Sequence, residues 1–145
     1  MKQAELTPKE MAKALENGGK KVISLIIKQT YFDQIIAGTK KQEFRELKPS
    51  TFKKLVQTDA KTGELKLDEN EFAIPIWYDA MLLFVGYNKV RDSALVEIKG
   101  AKEEVFKDEN GEEIYEEFED GSRFYPSQIV YDLGNVLAKE IHPKK

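Results

Sequence analysis

The stretch 22-VISLIIKQTYFDQIIAGTKKQEFRELKP-49 decides how the chain is read. Val22, Ile23, Leu25, Ile26 and Ile27 form a short apolar run broken only by Ser24, the pattern of a strand buried on both faces. Thr30 is placed to cap a helix, with Asp33 near its positive end. Tyr31, Phe32, Ile35 and Ile36 recur at helical spacing and make one apolar stripe. Gly38 stands where a left-handed residue would stop that helix. The residues that follow alternate: Lys41, Glu43 and Arg45 point one way, and Gln42, Phe44 and Glu46 the other. Phe44 is expected to anchor this second strand in the core, leaving Glu43 and Arg45 about 7 Å apart on the opposite face. Lys40, at the turn, can lean towards either face.

Lys40, Glu43 and Arg45 are the candidate site. A guanidinium offers a rigid fork to a phosphate or a carbonyl edge. A carboxylate beside it accepts from an exocyclic amine, as it does from cytosine. Together they can read donors and acceptors on one planar ligand. The plainer alternative is a solvated strand face whose ion pairs contribute little.

Composition bounds the options. The chain has 145 residues, enough for one domain with a real core. It has no Cys, so disulfides and thiolate metal sites are excluded, and a reducing compartment fits. With a single His, at position 142, a transition-metal site is not expected, nor is a Ser-His-Asp arrangement. No apolar run approaches the roughly 20 residues of a membrane helix. The opening MKQAELTPKE lacks the apolar core of a signal peptide, which makes the cytoplasm the expected location. The net charge of −3 is uneven. Residues 1–66 hold 14 Lys/Arg against 8 Asp/Glu, whereas residues 67–145 hold 9 against 18. A basic first half suits a phosphate-bearing partner. The acidic second half argues against non-specific wrapping of duplex DNA.

Outward from the central stretch, residues 1–20 read as an N-terminal helix packed on a single domain of residues 21–145. Thr7-Pro8-Lys9-Glu10 is a capping box with Pro at the first helical position. Met11, Ala14 and Leu15 share one face, and Gly18-Gly19 end the helix. Residues 50–56 suit one or two helical turns, and residues 57–71 a polar segment with a short hairpin around Leu65 and Leu67. Met81 to Val85 is apolar on both faces, as a central strand is. Trp77, just before it, is expected in the core. From Ser93 to Gly100, Ala94, Val96 and Ile98 face inward, and Glu97 and Lys99 outward. Residues 103–120 form an acidic hairpin turned at Asn110-Gly111, its charges solvated. Ile129, Tyr131 and Leu133 share one face of a late strand, Gly134 allows a bend, and residues 136–141 suit a closing strand. His142 falls in a frayed tail with Pro143, Lys144 and Lys145. No internal repeat, no dividing linker and no phosphate-binding glycine motif is found. No cofactor is expected.

The apolar strand, the short aromatic-bearing helix and then G-x-K-x-x-E-x-R (Gly38, Lys40, Glu43, Arg45) with the Leu47-Lys48-Pro49 exit resemble the activating signal cointegrator homology (ASCH) family. Tyr78-Asp79, Gly86-Tyr87, residues 94–98 and Asp132-Leu133-Gly134 also look like ASCH segments. The likeness covers roughly residues 22 to 140. It implies an α+β fold of the PUA-like kind, a small mixed β pseudobarrel with short helices at the rim. It also implies a cleft lined by Lys40, Glu43 and Arg45 that binds RNA or a nucleotide-like ligand, with Tyr78 or Tyr87 near the barrel mouth to stack a base. Some family members are amidohydrolases that deacetylate an acetylated cytidine, using the Lys and a Thr three residues after it. That position is Glu43 here, so the hydroxyl is missing, and an enzyme would have to use Lys40 and Glu43 on water. A third reading is a protein-interaction domain built on the acidic hairpin.

Overall fold

A computed structural model of the chain describes residues 5–143. The part of the expected N-terminal helix at residues 1–4, and of the expected tail at Lys144 and Lys145, lies outside the described residues. The elements run α1 (Pro8–Asn17), β1 (Val22–Ile27), α2 (Gln29–Ala37), β2 (Gln42–Glu46), α3 (Phe52–Leu55), β3 (Ala80–Val85), β4 (Ser93–Val105), β5 (Glu116–Glu117), β6 (Arg123–Phe124) and β7 (Ser127–Glu140). The fold is α+β, with a five-stranded mixed sheet of order β1-β3-β4-β7-β2 and a two-stranded ribbon β5-β6. β1 and β2 are the edges of the larger sheet. The chain forms two compact units: Met1–Gln42, Trp77–Gly100 and Asp132–Lys145 make the first, and Glu43–Ile76 with Ala101–Tyr131 the second.

In the first unit, β1 runs parallel to β3, with Val22 opposite Ala80 and Ile27 opposite Val85. β3 runs antiparallel to β4, with Met81 opposite Val96 and Leu82 opposite Leu95. Ala80 to Leu83 are all buried, as expected of a central strand. β1 is buried on one face only: Ile23, Leu25 and Ile27 are covered, while Ser24 is exposed. A serine in the middle of the run is the residue that can face outward. The capping box of α1 forms as its sequence requires, with Thr7 Oγ1 accepting from Glu10 N–H and the Glu10 carboxylate from Thr7 N–H. α1 lays Ala12 on Ala80, Leu82 and Leu95, with Met11 and Leu15 packed around them. That contact accounts for a departure from simple alternation in β4, where Ala94, Leu95 and Val96 are all fully buried. Leu95 is expected outward by its parity, yet it is covered by the N-terminal helix.

α2 starts earlier than its sequence suggests. Lys28 is the N-cap and makes no side-chain cap bond, so Thr30 is not the cap. Gln29 lies inside the first turn, where its Nε2 donates to Asp33 at 2.8 Å and to Asp92 at 3.0 Å. Phe32 and Ile35 are buried, Tyr31 is largely exposed, and Gly38 closes the helix with φ of 82°. β7 is one strand of 14 residues that runs on through Gly134. A Cβ at Gly134 would meet the side-chain ends of Glu97 and Lys99, both of which can move aside.

In the second unit, α3 is the short helix expected after Ser50, and bridges Val56–Pro75, Thr58–Leu65 and Leu67–Ala73 pair the polar segment with itself. Two hairpins share a short turn sequence. Residues 66–74 read KLDENEFAI and residues 106–114 read FKDENGEEI, sharing Asp-Glu-Asn at the turn. They fold alike. Leu67 bridges Ala73 as Lys107 bridges Glu113. Asp68 N–H donates to Phe72 O at 2.8 Å, and Asp108 N–H to Glu112 O at 2.8 Å. Each turn's Asp carboxylate accepts from the N–H two and four residues on, at 2.9 and 3.0 Å in both. The repeat is too short to read as an architectural period, but the Asp side chain dictates the same turn both times. One position differs. Gly111 takes φ of 81°, and its counterpart Glu71 takes φ of 67°, the one non-glycine with positive φ among the described residues. That conformation costs a residue with a Cβ roughly 1–2 kcal/mol.

Candidate functional site

β2 is built inside out. Glu43 is 4% exposed and Phe44, expected to anchor the strand, is 41% exposed. The alternation holds, but the inward face is the charged one. Burial of Glu43 is tolerated because Arg45 pairs with it, Nη2 lying 2.6 Å from Oε2. Glu43 Oε1 also accepts from Phe44 N–H at 3.2 Å. Side chains two apart on a strand share a face, which lets the part-exposed Arg45, 25% exposed at its side chain, cover the buried Glu43 carboxylate. A carboxylate this deep is not the fully solvated one of the plainer alternative. Among the described residues, Arg45 Nε is buried and has no hydrogen-bond partner. A buried N–H of that kind lacks an acceptor worth about 1–3 kcal/mol.

The other candidates belong to the first unit. The Lys40 ammonium lies 5.2 Å from the centroid of the Tyr31 ring, whose face attracts a cation. The backbone at Thr39 and Lys40 is held by N–H bonds to Gln34 O at 3.0 and 3.1 Å. Tyr78 is half-buried, and loss of water raises its phenol above the ordinary tyrosine range. Tyr87 is 86% exposed and presents its ring to solvent. Arg91, four residues on, is committed elsewhere: Nη1 donates to Gly86 O at 2.7 Å, and the guanidinium stacks 4.2 Å from the Phe84 ring centroid.

Trp77 corrects a core expectation, being 54% exposed. Its indole Nε1 donates to Asp79 Oδ1 at 3.0 Å, while Asp79 Oδ2 accepts from Lys21 N–H at 2.9 Å. The bond from the Lys21 backbone, then that from Trp77, hold the Asp79 carboxyl below its usual value. A lowered folded value favours the ionised, folded state. The contribution of Asp79 is therefore complete above the unfolded carboxyl's pKa of about 3.9. It fades as pH falls from there through the lower folded value. Asp79→Asn should be less stable than wild type at neutral pH, and the gap should narrow below about pH 4. Urea melts at stepped pH check this, and a gap constant across that range would refute it.

His142 is not frayed. Its N–H donates at 2.8 Å to Asp92, a carboxylate only 3% exposed that also receives Gln29. Nothing in the spacing of positions 29, 92 and 142 signals that meeting, because tertiary folding brings the three together. Among the described residues, no group of three or more His, Asp or Glu is placed to hold a metal, and no helix is long and apolar enough to cross a membrane. Comparison with protein-family models, with curated proteins and with solved structures gave no match.

Proposed function

We propose that the chain is a binding module of the PUA-like, ASCH-related kind that takes RNA or a nucleotide-like ligand on its G-x-K-x-x-E-x-R stretch. The observation that carries this reading is the buried Glu43–Arg45 pair with Arg45 Nε unpartnered. A buried ion pair is weak evidence for stability, since apolar residues of the same size often serve as well. A chain that keeps one, on a strand whose aromatic residue faces out, has a use for the charges. The use that fits them is a polar planar edge: the guanidinium donates to a carbonyl or phosphate oxygen, and the carboxylate accepts from an exocyclic amine. Cytosine and guanine carry both groups. Lys40, Tyr78 and Tyr87 belong to the first unit, and a phosphate contact by Lys40 or base stacking on either ring is tested by its own substitution.

Fluorescence anisotropy with a labelled single-stranded oligoribonucleotide of mixed sequence, titrated at low and at physiological salt, tests the proposal. Wild type should bind in low salt. Arg45→Ala should weaken binding by about ten-fold or more, the value of one good base-edge contact. Lys40→Ala should flatten the salt dependence by about one phosphate contact. Absence of binding to both the oligoribonucleotide and free nucleotides in low salt would overturn the proposal. Hydrolysis of acetylcytidine by wild type, lost in Lys40→Ala, would replace it with the amidohydrolase reading.

A further inference from the structure

The second unit holds a feature that the reading of β2 does not use. A cavity of about 730 Å³ opens among its loops, within the ~300–1,000 Å³ typical of sites for small organic molecules. Four rings line it, those of Phe52, Phe72, Phe124 and Tyr125, together with the aliphatic side chains of Leu65 and Leu67. Leu65, Leu67, Phe72 and Phe124 are each more than 40% exposed, so this apolar lining is open to a ligand. A wall of this kind on a water-facing surface has a cost that a bound apolar body would remove.

The charges on the lining decide the class of ligand. Lys48 is 3.7 Å from Glu46. The Arg123 guanidinium lies 4.4 Å from the Tyr115 ring centroid and hydrogen-bonds Tyr125. A carboxylate thus offsets Lys48, whereas Arg123 keeps its charge against two tyrosines, and the lining carries three carboxylates, Glu71, Glu103 and Glu113, to these two cations. Glu103 spends its two oxygens on Ala73 N–H at 2.8 Å and on the hydroxyl of Ser127 at 2.6 Å. Glu71 and Glu113 remain, lining the cavity with no side-chain partner among the described residues. They come from the two matching hairpins, Glu71 from the first and Glu113 from the second. Glu71 is moreover the residue held at φ of 67° where the other hairpin has glycine. A strained residue persists where something other than the turn requires its side chain.

We infer that this cavity binds an aromatic or bulky apolar organic cation, its body against the four rings and its ammonium facing the carboxylates of Glu71 and Glu113. Aromatic faces and unpaired carboxylates both favour a positive charge, and they act on the same ligand. The site lies outside the Glu43–Arg45 stretch, so it stands whether or not the chain binds RNA.

The test uses the full chain and three probes of one shape: naphthylmethylammonium, neutral naphthylmethanol and anionic naphthoate. Each is titrated by protein NMR, with shifts followed at Leu65, Leu67, Phe72 and Phe124. The ammonium should saturate these sites and bind about five-fold or more tighter than the neutral and anionic probes, the scale of a partly exposed cation–ring contact. Glu71→Gln with Glu113→Gln should level that preference and leave the neutral probe's affinity unchanged. Glu71→Gly gives a separate readout, since relief of the left-handed strain should raise the denaturation midpoint while the ammonium binds more weakly. No saturation by the ammonium, equal affinity for all three probes, or a preference that survives the double substitution would each overturn the inference.

Discussion

Arg45→Ala should destabilise the fold by about 3 kcal/mol, and replacing both members of the pair, Glu43→Leu with Arg45→Met, should cost less than about 1 kcal/mol. The single change strands the Glu43 carboxylate, which is 5% exposed at its side chain and too deep to be rehydrated without opening the strand. Arg45 is 25% exposed at its side chain, so the lower part of the range for breaking buried pairs applies. Glu43→Ala should be milder for the same reason, because the guanidinium left behind can still reach water. The double change removes both desolvation costs and puts apolar volume where the pair was. Urea denaturation of wild type, Glu43→Leu, Arg45→Met and the variant carrying both closes a double-mutant cycle, and a coupling energy near zero would show that the two charges do not hold each other in place. The cycle also separates structure from function. If the pair serves a ligand, the double variant is as stable as wild type and does not bind. If the pair serves the fold, the double variant loses stability as the single one does.

The same strand shows what its sequence can and cannot convey. Alternation divides β2 into two faces, and that division holds residue by residue. It does not say which face turns inward. Hydrophobicity favoured Phe44, and the ion pair reversed the choice, because two opposite charges two residues apart can be buried together at a cost neither could bear alone. Gly38 was legible because its requirement is local, a left-handed residue at a helix end. So was the capping box at Thr7, since all its partners lie within four residues. Trp77 was not legible. Its exposure depends on Asp79, whose carboxylate holds the indole N–H and is itself tied to the backbone of Lys21, 58 positions away. Asp92, Gln29 and His142 are a further case of partners joined only by the fold. The paired hairpins lie between these extremes. Asp-Glu-Asn is written twice in the chain, and only the shared turn geometry shows that it matters.

Leu95→Ala is the second large effect, an expected loss of about 3 kcal/mol within the 2–5 range for buried leucines. By strand parity Leu95 should face solvent, and a solvent-facing leucine could be truncated almost without consequence. It is instead fully buried, under Ala12 of α1 and beside Ala80 and Leu82 of β3. Leu82 lies beside it, and Met11, Leu15 and Phe84 pack around the cluster; the space they do not fill adds a cavity term to the lost transfer energy. Val96→Ala, on the opposite face of β4, removes less volume and should cost less. Deleting residues 1–20 would uncover Leu82 and Leu95 together and should destabilise the first unit by at least as much as Leu95→Ala does. In that shortened chain Leu95→Ala should cost little further, because the space it would empty is already open to water. Should Leu95→Ala cost the same with and without residues 1–20, α1 does not cover this part of the sheet, and the covered face of β4 needs another explanation.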